Sequence, residues 1–169
     1  VLEIACHDLV APLPVQAQYY LCWDLSSGQD WADEGSLWYD PDGFNGVQPY
    51  TPDWAILKTP GLMKIDSSHM IDVGRLYVGE GYNEFPYYLT GAGEGHVLQT
   101  SGDFYYDDYM LLGYWSPGTS TYTMQGGTIT QVNRDPDAGA GQLRIGDHGD
   151  ATMTVANGLG PDAALKFYR

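Results

Sequence analysis

At 169 residues the chain is long enough for one domain with a buried core. A formal net charge of −15, from 22 acidic against 7 basic residues, excludes nucleic acid and anionic membrane surfaces as expected partners, since Lys and Arg supply most of that affinity. No apolar run reaches the roughly 20 residues of a membrane-spanning helix, and 22 Gly, 10 Pro and 14 Tyr favour turn-rich β structure. Residues 1–22 form a predicted N-terminal arm. Its first 18 residues are apolar but broken by Pro12 and Pro14, so they read as extended chain and not as helix. Two placements fit: a strand lying on its own domain, or a strand added to a neighbouring subunit through Val1, Leu2, Ile4, Leu9 and Val10. No basic n-region precedes the apolar residues, so the expectation is an exported product whose signal sequence has been removed. Cys6 and Cys22 are the only cysteines. In an exported protein that even count suggests one disulfide, closing a loop of 15 intervening residues and adding roughly 3 kcal/mol; two buried free thiols are the alternative.

Residues 23–64 form a Trp-rich, acidic segment containing Trp23, Trp31, Trp38 and Trp54. These rings suit a hydrophobic cap over the first turn of a repeat, or a flat platform for sugar rings. Within it, Asp40, Asp42 and Asn45 place hard oxygen donors close together, as calcium requires. Asp42-Gly43 and Asn45-Gly46 also form turns without any metal.

Residues 65–169 carry a repeat. Leu76-Tyr77-Val78-Gly79, Met110-Leu111-Leu112-Gly113 and Leu143-Arg144-Ile145-Gly146 place their glycines 34 and then 33 residues apart. A second marker follows each: Gly102 after Gln99-Thr100-Ser101, Gly127 after Met124-Gln125-Gly126, and Gly158 after Val155-Ala156-Asn157. Units of this period bury their apolar faces by stacking, and glycines this frequent leave no helical stretch. The predicted fold is therefore all-β: a short parallel β-solenoid of about 3–4 coils with a Trp-rich N-terminal cap. Its glycines sit at corners that need φ > 0, and residues 80–94 and 133–141 loop out.

Little in the repeat suggests catalysis. Asp107 and Asp108 resemble an acid/base pair, but neighbours on a strand point to opposite faces unless a bulge intervenes. His96 and His148 are isolated, and the Asp147-His148-Gly149-Asp150 run is a turn or a weak cation site. The expectation is a protein that is not an enzyme and has no cofactor beyond calcium.

Together, Leu76-Tyr77-Val78-Gly79, the Gly118–Tyr122–Met124–Gly126–Gly127–Ile129 pattern and Leu143-Arg144-Ile145-Gly146 resemble the glycine-rich β-solenoid repeats of bacterial autotransporter-associated and PEP-CTERM-type exported surface proteins. The resemblance covers residues 23–158 and implies passenger, adhesive or filament material at the cell surface. The chain is shorter than that family's members and ends on Tyr168-Arg169 without a sorting helix, so an anchor is expected to be absent or removed. Both ends of a short stack would present open strand edges. Leu165, Phe167 and Tyr168 lie on an apolar last strand, giving an expected homopolymer built through that strand and the arm. A glycan-binding adhesin using exposed Trp and the tyrosines of residues 82–88 is the competing expectation.

Overall fold

The computed structural model describes residues 19–22, 25–31, 38–39, 48–58, 60–66, 70–80, 93–115, 117–132, 141–146, 148–156 and 164–167. Among these the regular structure is all strand, with no helix. The strands are β1 (Tyr19–Cys22), β2 (Leu25–Asp30), β3 (Trp38–Tyr39), β4 (Trp54–Leu57), β5 (Gly61–Ile65), β6 (Met70–Glu80) and β7 (Gly95–Gln99). They continue with β8 (Asp103–Tyr114), β9 (Thr119–Met124), β10 (Thr128–Gln131), β11 (Gln142–Ile145), β12 (Asp150–Val155) and β13 (Ala164–Phe167).

They form two sheets. The larger runs β13-β10-β8-β6-β4-β1-β3, with β11 paired to β8 beside that path; the smaller runs β12-β9-β7-β5-β2. Every pairing is parallel except β1 with β3. Parallel neighbours cannot be joined by a hairpin, so the chain leaves a sheet and returns to it one strand further along.

The glycine anchors set the register. Leu76 pairs with Met110 and Met110 with Leu143; Val78 pairs with Leu112 and Leu112 with Ile145. Gly79, Gly113 and Gly146 follow in step, at φ of 71, 67 and 73°. At Gly79 a side chain is doubly forbidden: the φ is left-handed, and a Cβ would fall on the Ser120 hydroxyl. Gly102 and Gly127, at φ of 80 and 82°, repeat this logic between Gln99–Met124 and Asp103–Thr128 pairs.

The ladder extends further toward the N-terminus than the glycines indicate. Tyr20 pairs with Ala55 and Ala55 with Leu76, so β1 and β4 precede the first glycine-bearing strand. Lys58, buried and without a left-handed φ, follows Leu57 where the later strands have glycine, and this hides the earlier strands from a glycine search. The boundary expected between residues 64 and 65 falls inside β5.

One core lies between the sheets. Residues alternate along each strand, and the inward set (Ala55, Leu57, Met63, Ile65, Leu76, Val78, Val97, Phe104, Tyr106, Met110, Leu112, Tyr122, Met124 and Ile129) is buried. Trp31 and Trp38 join it at 2% and 0% exposure, their rings 4.7 Å apart, with Trp31 edge-on to Phe104 at 5.9 Å. Of the two placements of these tryptophans, the rings occupy the core; a sugar platform on them is excluded because neither face reaches solvent. A second cluster, Ile56, Tyr77 and Leu111 with Trp54, Tyr109 and Tyr114, lies on the outward side of the larger sheet.

Candidate functional site

Three places on the described surface have chemistry beyond packing. The first is the edge formed by β11 and β12, where the inward columns run out. Val78 and Leu112 are fully buried, but Ile145, next in their column, is 47% exposed. In the smaller sheet Ile65, Gln99 and Met124 are fully buried, and Val155, which pairs with Met124, is 42% exposed. Leu143, Ala151 and Met153 are only partly covered, although they pack on the core. These side chains occupy core positions on strands with no further strand beyond them among the described residues, and the same alternation that buries their counterparts leaves them in water.

The second place is Arg75, at the centre of the larger sheet's outer face. Its guanidinium lies 4.0 Å from the Trp54 ring centroid and 4.9 Å from that of Tyr109, and its Nη2 and Nε donate to Asp108 Oδ2 at 2.7 and 2.9 Å. Burial opposes its charge, yet Asp108 and Tyr77 hold its pKa above the ordinary guanidinium value. Asp108 reaches Arg75 because β8 carries a bulge: Val73 pairs with Tyr106 but Arg75 with Tyr109, one extra residue on β8. The bulge that two acid/base carboxylates would need is therefore present, but it delivers Asp108 to an arginine. Asp107 contributes its backbone carbonyl, which accepts from Gln131 Nε2 at 3.3 Å.

The third place is the corner where Trp115 and His148 meet, their ring centroids 4.0 Å apart. Both are non-glycine residues in left-handed backbone, at φ of 50 and 65°, and Trp115 is 46% exposed. His148 therefore pairs with a ring and His96 with Thr121, its Nδ1 2.9 Å from Oγ1. Among the described residues no group of three His, Cys, Asp or Glu is placed to hold a metal ion.

The other predicted residues divide between described and undescribed chain. Leu165 and Phe167 lie in β13, paired with Ile129 and Gln131, and Cys22 ends β1 opposite Leu57. Val1, Leu2, Ile4, Leu9, Val10, Cys6, Asp40, Asp42, Asn45, Gly158 and Tyr168 lie outside the described residues, as do residues 82–88. Sequence reasoning passed over Ile145, Val155, Trp115 and the Arg75 ladder. Ile145 was already visible in the Leu143-Arg144-Ile145-Gly146 anchor, but its exposure depends on which strand is last. No helix among the described residues is long and apolar enough to cross a membrane. No protein-family model matches the chain, and no curated protein or solved structure matches it.

Proposed function

We propose that the two parallel sheets are the walls of a short β-solenoid, and that the protein is a non-enzymatic structural subunit of an extracellular filament or surface layer, associating through its last coil and its N-terminal arm. The observation that carries this is the abrupt exposure of core-position side chains at Ile145 and Val155, next to Leu112 and Met124, which are fully buried. Apolar surface at a strand edge is stabilised by whatever covers it, at about 25 cal/mol per Å² removed from water, and an open edge also offers backbone pairing. An acidic exterior limits sideways clumping while leaving the end accessible. Analytical ultracentrifugation of the full chain tests this: concentration-dependent association is expected, lost in Ile145→Asp and Val155→Asp, whereas a monodisperse monomer at high concentration rejects the reading. Both positions are exposed, so the substitutions leave the interior packing in place.

A glycan-binding role is the second reading, favoured by Trp115, whose exposed ring in strained backbone beside His148 offers a flat apolar face. A glycan array comparing the protein with Trp115→Ala separates the two: saturable binding lost in the variant supports the adhesin.

A further inference from the structure

The outward face of the smaller sheet has a chemistry of its own. β7, β9 and β12 pair in parallel without a register shift, so their residues stand in straight columns. In β9, Ser120, Tyr122 and Met124 are buried on the inward side, which turns Thr121 and Thr123 outward. The residues opposite these two in β12 are Thr152 and Thr154, both exposed. Four threonines therefore mark the corners of a rectangle, about 4.8 Å across the strands and about 6.6 Å along them, the spacing of neighbouring parallel strands and of every second residue. A β-branched side chain has few rotamers, so hydroxyls and methyls repeat with the backbone. His96 and Leu98 of β7 complete the next rung, with His96 Nδ1 2.9 Å from Thr121 Oγ1. None of these six positions holds Asp, Glu, Lys or Arg, in a chain with 22 acidic and 7 basic residues. The outer face of the larger sheet instead carries Arg75 on Asp108, against the rings of Trp54 and Tyr109.

We infer that the β9–β12 face binds ice, with Thr121, Thr123, Thr152 and Thr154 as the contact residues. The sides of their rectangle are of the order of the oxygen repeats on a prism face of hexagonal ice, so the hydroxyls fall near lattice positions and the methyls over the hollows between them. The absence of charge matters as much, because an ionised side chain pressed against a crystal must give up its hydration shell, at a large cost. Hydrogen-bonded strands hold the array in place before contact, so little conformational freedom is lost on binding. A sugar chain fits less well: sugars stack on aromatic faces, and these positions hold no Trp, Tyr or Phe. The inference goes beyond end association and does not depend on it, since it uses the face of β9 and β12 and not the edge beyond them.

Thr152→Lys and Thr154→Lys place a charge on this face at exposed positions and leave the core untouched. Met70→Lys adds the same charge on the larger sheet, at a residue 74% exposed. Inhibition of ice recrystallisation is measured with the full chain, together with its partition into a slowly growing ice front. The wild type is expected to enter the ice and to slow recrystallisation relative to an equal mass of an inert protein. For the same inhibition, each threonine variant is expected to need about tenfold more protein than Met70→Lys, because ice contact strips water from the new charge. Recrystallisation as fast as in the inert control overturns the inference, and so does an equal loss in Met70→Lys. Binding to crystalline cellulose or chitin that the threonine variants lose, with no effect on ice, assigns the face to a neutral polysaccharide instead. Ile145→Asp keeps all four threonines and separates this inference from end association. Inhibition of ice is expected to survive in it, whatever its sedimentation shows; loss of inhibition there would assign the effect to the strand edge and overturn the role of the face.

Discussion

Single buried polar groups decide how this core tolerates change. Gln99 is fully buried and satisfied on both sides: its Nε2 donates to the carbonyls of Gly102 and Thr128 at 3.0 Å each, and its Oε1 accepts from Tyr122 at 2.8 Å. Gln99→Ala strips the partner from the buried Tyr122 hydroxyl and one donor each from the half-buried Gly102 and Thr128 carbonyls, and urea denaturation should show a loss of about 2 kcal/mol. Tyr106 presents the opposite case. Its hydroxyl is buried without a hydrogen-bond partner, and desolvation pushes its pKa up to about 12. Tyr106→Phe should therefore stabilise the fold by about 1 kcal/mol. The sign of the pH effect follows. From about pH 10 the unfolded tyrosine loses its proton while the folded one keeps it, so stability falls with rising pH until about pH 12, by about 3 kcal/mol. Burial pushes Tyr122 in the same direction. Chemical denaturation from pH 9 to 12 should show a shallower decline in Tyr106→Phe than in the wild type.

At the scale of the element, the corner glycines separate backbone strain from packing. Gly79 and Gly146 have nearly the same left-handed φ, 71 and 73°. A Cβ on Gly79 collides with Ser120 and lies 2.8 Å from the Gly93 carbonyl, whereas on exposed Gly146 its nearest neighbour is the Gly149 carbonyl at 3.2 Å. Gly146→Ala should therefore cost mainly the left-handed share, about 1 kcal/mol, and Gly79→Ala about 3 kcal/mol or more, because the clash adds to it. Thermal melts of the two variants check the order. Equal losses would mean that the corner relaxes around the added methyl. The β8 bulge is the other element-level device: by adding one residue opposite Arg75 it converts a would-be acid pair into one carboxylate on a guanidinium and one backbone acceptor.

For the whole molecule, cooperativity should be graded along the stack. Amides of β8 and of Arg75–Val78 in β6, on strand segments paired on both sides, are expected to exchange only through global opening, and those of β11 and β12 through local fraying. Hydrogen exchange measured at low and high protein concentration should show the β11–β12 amides alone gaining protection as copies associate. Concentration-independent exchange at that edge would argue that it is not a contact surface.

The sequence by itself determined the all-β class and the alignment of the glycine-bearing strands. A corner at φ > 0 is a local demand that only glycine meets cheaply, so Gly79, Gly113 and Gly146 could be aligned without knowing what they touch. In β9 the apolar Tyr122 and Met124 alternate with Thr121 and Thr123, and it is the apolar set that faces inward. Only the tertiary structure decided that β1 and β4 belong to the same ladder, because Lys58 turns that corner without glycine. It alone placed Trp31 and Trp38 inside, and gave Asp108 to Arg75. It also decided that Ile145 and Val155, apolar residues patterned like their buried counterparts, stand in solvent. Burial depends on whether another strand lies alongside, and that neighbour is set by pairing across tens of residues, which no local pattern encodes.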